Sequence, residues 1–141
     1  MVDVNVLVGA YRVGAPHHEE LAEWLEHAVN DPAPLGMTDA VLVGFVRVVT
    51  HPRIFAVPTP IDVAVRQATD LRESPGVLVV QPGSSAWSIY ASLCTTANAK
   101  GNLAADAMHA ATAIEAGATW VTLDRDFARF SGLAVESPLA G

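Results

Sequence analysis

The apolar positions of this chain come in short blocks, and the blocks alternate between two periods. Val4, Val6 and Val8 alternate with Asp3, Asn5 and Leu7, so the spacing over Val2 to Ala10 predicts a buried strand. From His17 to Val29 the period changes to that of a helix. Leu21, Trp24, Leu25 and Ala28 share one face, with Glu19, Glu20, Glu23 and Glu26 elsewhere. Pro16 suits its start, and Asn30-Asp31-Pro32-Ala33-Pro34 ends it. Leu35 to Met37 fits a short strand, and Thr38 is placed to cap a helix running to about Val49, stopped by His51-Pro52. Thr59 is placed to cap another helix from Pro60 to Arg72. A strand follows over Val77 to Val80, then a helix from Ser84 or Ser85 to Ala97. An Ala-rich helix over Leu103 to Ala116 ends at Gly117, which suits the residue after a helix end. Ala118 to Leu123 reads as a strand, Asp124 to Phe130 as a short helix or turn, and Leu133 to Val135 as a last strand. Strands and helices in alternation predict a single α/β domain over residues 1–141, with a mainly parallel sheet flanked by helices on both faces. Sites in such folds lie at the carboxyl ends of the strands.

Composition narrows the class. The chain has 141 residues, about half of them hydrophobic, which is enough to bury a core. No apolar run approaches the roughly 18 residues of a membrane span, and the first residues lack the basic start of a secretion signal. The expectation is a cytoplasmic protein. With Cys94 the single cysteine and the five histidines scattered, neither a disulfide framework nor a zinc site is expected. The net charge of −7 argues against broad non-specific nucleic-acid binding. It does not exclude a nuclease, because carboxylates that bind a metal add negative charge which the bound cation reverses.

Carboxylates in otherwise apolar surroundings are the chemistry worth following, since burying one is costly unless it is paired or metal-bound. Asp3 and Asn5 lie two apart in the first predicted strand, so the alternation points both to one face. Asp106 interrupts the Ala-rich helix and shares a face with His109 and Ala110. Asp124 directly follows the strand ending Trp120-Val121-Thr122-Leu123, with Asp126 two residues on. Each has a structural reading too. Asp124 fits the N-cap of the short helix after it, Asp126 suits a first turn, and Asn5 suits a hydrogen-bonding support. An all-oxygen donor set suits Mg²⁺ or Mn²⁺. A receiver-like phosphoacceptor would also gather carboxylates at strand ends, but it requires a lysine after a late strand, and the sole lysine, Lys100, precedes a helix.

These residues fall within a larger pattern. Asp3-Val4-Asn5-Val6-Leu7-Val8 resembles the opening of PIN domains, especially VapC toxins of the mycobacterial type. Phe45-Val46-Arg47-Val48-Val49-Thr50-His51-Pro52-Arg53, Gly101-Asn102-Leu103 through Asp106 and His109, and Thr122-Leu123-Asp124-Arg125-Asp126-Phe127 resemble the later signatures, in order, along essentially the whole chain. The resemblance implies a metal-dependent endoribonuclease, the toxin of a type II toxin–antitoxin pair that arrests growth. It implies Asp3, Asp106 and Asp124 as catalytic and metal-holding residues, Asp126 as a further ligand, and Asn5 and Thr122 as polar supports. It also implies an RNA substrate, a VapB-like antitoxin and a homodimer. One position departs: a glutamate common in the second helix of the family aligns with Gly44, leaving Asp39 as the nearest acidic substitute. That departure keeps a second reading open, a catalytically weak module that binds RNA or protein without cutting.

Overall fold

The computed structural model describes residues 1–140. Its elements are α1 (Val4–Tyr11), α2 (His18–Asn30), β1 (Leu35–Met37), α3 (Asp39–Val49), α4 (Ile61–Arg72), β2 (Val77–Val79), α5 (Ala86–Ala97), α6 (Asn102–Glu115), β3 (Trp120–Val121), a 3-10 helix (Arg125–Arg129) and β4 (Val135–Glu136). The strands pair in parallel. Leu35 to Met37 align with Val77 to Val79, and Trp120-Val121 align with Val135-Glu136. Parallel neighbours need a crossover, and α3 and α4 supply it between β1 and β2. The α/β class with parallel pairing is therefore as expected, with shorter strands and two separate two-stranded ladders.

The largest departure is at the start of the chain, where the strand expected over Val2 to Ala10 is a helix from Val4 onward. Only Val2 joins a sheet, through a parallel bridge to Val121. At the next residue the Asp3 carboxylate accepts the Val4 N–H at 2.7 Å and starts α1. The buried residues Val6, Leu7 and Ala10 fall at helical spacing, and α1 packs them against α2 and α3. Two glycines permit this close packing. A Cβ on Gly9 would collide with Leu21 of α2, and one on Gly44 of α3 would lie 2.8 Å from Val4 Cγ2.

Other expected caps divide. Thr38 accepts the Val41 N–H at 3.1 Å and caps α3. Thr59 does not cap α4, whose N-cap is Pro60; its hydroxyl accepts from Arg12 instead. The start of α5 is secured from another element, because the Glu115 carboxylate accepts the N–H groups of Gly83 and Ser85 at 2.5 and 2.9 Å. Gly117 follows α6 with φ +65°, a conformation natural for glycine. The core centres on Trp120, Phe45, Phe127, Leu7 and Leu21, all fully buried. Among the described residues no helix is long and apolar enough to cross a membrane.

Candidate active site

The site forms where the start of the chain meets the end of β3. The Asp3 N–H donates to the Val121 carbonyl at 2.9 Å, laying the chain beside β3 before α1 begins. Asp3 is a buried polar residue, only 7% exposed. Its Oδ1 accepts from Val4, and its Oδ2 accepts the hydroxyl proton of Thr122 at 2.6 Å. The Thr122 oxygen in turn accepts the Asp124 N–H at 2.9 Å and the Asn5 side-chain amide at 3.4 Å. One proton given and two bonds received exhaust what a hydroxyl offers. Asn5 completes the link by accepting the Leu123 N–H at 3.2 Å. Asn5 and Thr122 thus stand beside Asp3 as expected, but by a different geometry. Asp3 and Asn5 are the N-cap and first turn of a helix rather than alternate residues on one strand face.

Asp124 caps the 3-10 helix, its Oδ1 accepting the Asp126 N–H at 2.9 Å. Asp106 approaches from α6, half-exposed on its helix. Desolvation, followed by the charges of Asp3, Asp124 and Asp126, pushes its carboxyl up to about 6. Four carboxylates expected at the site therefore share one electrostatic neighbourhood. Asp3 is also raised, mainly by burial, against the opposing effects of the Thr122 and Val4 bonds and of His109. His109, one turn beyond Asp106, stacks on Trp120 with ring centroids 5.5 Å apart and planes at 17°. Burial lowers its basicity.

Asp39 takes a different part. It forms an ion pair with Arg72, Nε to Oδ1 at 2.7 Å, joining α3 to α4 at the surface. That bond holds its carboxyl below the usual range. Asp39 is not among the charges that raise the Asp106 carboxyl. The Gly44 position offers no room, since Val4 fills the space beside it. Sequence reasoning missed how central Thr122 is. A threonine directly after a buried strand and two residues before a capping aspartate was the signal.

The donors suit a hard divalent cation by type, all carboxylate oxygens, and by charge, since the repulsion on Asp106 is what such an ion relieves. Among the described residues no three acidic, histidine or cysteine side chains form a ready-made ligand shell. Mg²⁺ does not require one, because it is commonly held by one or two carboxylates plus waters and substrate phosphate.

The PIN domain matches residues 1–133 of the chain. Ribonuclease VapC43 of Mycobacterium tuberculosis strain H37Rv is 43% identical over 140 residues, covering 99% of this chain and 95% of that protein. Ribonuclease VapC25 of the same strain is 34% identical over 133 residues, 94% of each chain. Among solved structures, VapBC2 from Rickettsia felis, bound to a DNA fragment from its promoter, superposes with a TM-score of 0.72 at 19% identity, covering 97% of this chain and 96% of that one. VapBC-1 from nontypeable Haemophilus influenzae gives 0.70 at 18% identity, covering 98% and 96%.

Proposed function

This chain belongs to the PIN-domain family, and from that premise we propose that it cuts RNA with a divalent metal held by Asp3, Asp106, Asp124 and Asp126. It is a ribonuclease of the VapC kind, the toxin of a toxin–antitoxin pair, in keeping with its whole-length identity to named VapC ribonucleases. The observation that carries the metal-dependent reading is the raised Asp106 carboxyl beside three other carboxylates at a strand end.

Mg²⁺ or Mn²⁺, when bound, would activate water and stabilise charge on the phosphoryl group. Asp3 and Asp106 would be the principal ligands. Thr122 and Asn5 hold Asp3 in one orientation, so little rearrangement is needed on binding. Asp124 is fixed by its capping bond, which leaves its second oxygen free of that duty. Among the arginines, Arg12 already donates to the Val57 carbonyl and Arg129 to the Ala97 carbonyl. Arg125, next to Asp124, is the better placed of the remainder.

The partner that fits is a VapB-like antitoxin, as in the antitoxin complexes that share the fold. RNA as substrate, a homodimer, a cytoplasmic setting and growth arrest complete the proposal. The test is cleavage of total RNA by purified, antitoxin-free protein, with Mg²⁺, with Mn²⁺ and with chelator, beside Asp3→Ala and Asp106→Ala. Discrete products that require metal and both aspartates are expected. Binding of RNA without any cleavage by the folded protein would replace this reading with the binding module.

A further inference from the structure

One stripe of α1 leads away from the carboxylates. Asn5, Val8 and Gly9 at i, i+3 and i+4, with Arg12 just past the helix end, line a cavity of about 420 Å³. Asn5 and Leu123, joined by a hydrogen bond beside the carboxylates, are among its lining residues. Phe55 lines it too. Phe55 lies in the loop between α3 and α4, and Arg12 ties that loop to α1. The Arg12 guanidinium sits 4.0 Å from the Phe55 ring centroid and donates to the Val57 carbonyl at 2.9 Å and to Thr59 at 3.2 Å. Its Nε–H is buried with no partner.

The lining is unusual for this protein. The chain carries a net charge of −7, yet no Asp or Glu lines this cavity, and Arg12 is its one permanent charge. An acidic protein with few cations gains little from the phosphate backbone, which ordinarily dominates nucleic-acid affinity. Away from the metal, grip on a single strand gains from the bases, since stacking on an aromatic side chain does not depend on net charge. An acid-free, largely apolar cavity with an aromatic ring and an arginine, lined also by Asn5 and Leu123 from beside the carboxylates, meets that need.

We propose that this cavity receives one unstacked nucleobase of the RNA, from a nucleotide next to the phosphate being cut, and that Phe55 and Arg12 hold it. The inference rests on the ribonuclease reading and names the part of the substrate that Asp3, Asp106 and Asp124 do not touch. Phe55 is in this sense a binding residue for the base, and Arg12 positions the ring.

A random-sequence RNA pool, cut by the wild-type protein with Mg²⁺ or Mn²⁺ and sequenced at the product ends, supplies a substrate. Synthetic oligonucleotides of that sequence then carry a single abasic nucleotide at each position around the cut. One abasic position beside the cut is expected to raise KM by about tenfold, the scale of a lost base–aromatic stack. The same substitution should change nothing further in Phe55→Ala, while Phe55→Tyr keeps the wild-type sensitivity. Thermal melting of each variant shows whether the loop is still folded. If Phe55→Ala does not fold, the fluorescence of 2-aminopurine at that position, in an uncleavable oligonucleotide bound to wild-type protein, reads the stack directly, and quenching is expected. Wild-type protein that cuts RNA but ignores abasic nucleotides at every position overturns the subsite alone. So does a folded Phe55→Ala that keeps full sensitivity, or 2-aminopurine that stays unquenched. Wild-type protein that cuts no RNA overturns the ribonuclease reading and the subsite with it.

Discussion

Replacing Asp106 by asparagine should make the metal-free protein more stable. The folded protein raises this carboxyl from 3.8 to about 6, so the ionised form is disfavoured relative to the unfolded chain. About two units at about 1.4 kcal/mol each would be about 3 kcal/mol. The side chain is half-exposed, and solvent screening reduces this to about 1 kcal/mol. The sign follows from linkage. Well below pH 3.8 the group is protonated in both states and exerts no penalty. Between 4 and about 6 the unfolded chain ionises first, so stability falls as pH rises, and above about 6 the penalty is complete. Asp106→Asn should therefore melt about 3 °C higher than wild type at pH 7.5 in chelator and level with it at pH 4. Metal reverses the order. An ion at ten times its Kd adds about 1.4 kcal/mol to the wild type, and the variant, lacking a ligand, gains little. Paired melting curves by circular dichroism at the two pH values, with chelator and with Mg²⁺, test all of this. A variant no more stable than wild type at pH 7.5, or one whose advantage persists at pH 4, would refute the account of Asp106.

Three further outcomes follow from the same contacts. Thr122→Val strands the buried Asp3 Oδ2 and leaves the Asp124 N–H without its acceptor, so it should cost about 2 kcal/mol in denaturant unfolding and weaken metal-dependent cleavage, whereas Thr122→Ser should keep most of both. Asp39→Asn should leave cleavage and its metal requirement within twofold of wild type, because Asp39 is engaged with Arg72; a large loss would return it to the site. Gly44→Ala should destabilise by about 1 kcal/mol, the crowding of Val4 outweighing the gain in helix propensity, and the loss should shrink when Val4→Ala is added; equal losses in both backgrounds would show that Val4 is not the obstacle.

The sequence carried most of the helices because each has a stripe of apolar residues and a recognisable end. Thr38, Asp124 and Gly117 mark boundaries that the structure keeps. The first element was misleading for a physical reason. Val4 to Tyr11 is a run of apolar and β-branched residues too short for its period to decide, and Val6, Leu7 and Ala10 fit a buried helix as well as their neighbours fit a strand. The capping bond of Asp3 and the presence of α2 and α3 settle it, and neither is visible in a local window. The candidate site was legible as isolated carboxylates in the wrong surroundings. Their meeting was not, because it depends on the register of Val2 against Val121. Asp39 shows the converse. Its acidic character invited a place in the site, and the fold pairs it with Arg72, 33 residues away.

The bond between Asp3 and Thr122 spans 119 residues of sequence, and Thr122 is itself held by the Glu136 carbonyl. Asp3 therefore has its orienting partner only when a segment 119 residues further along the chain has folded against it. Any fragment that carries Asp3 without Thr122 lacks that support, so the carboxylate site is a property of the assembled fold and not of either segment that builds it.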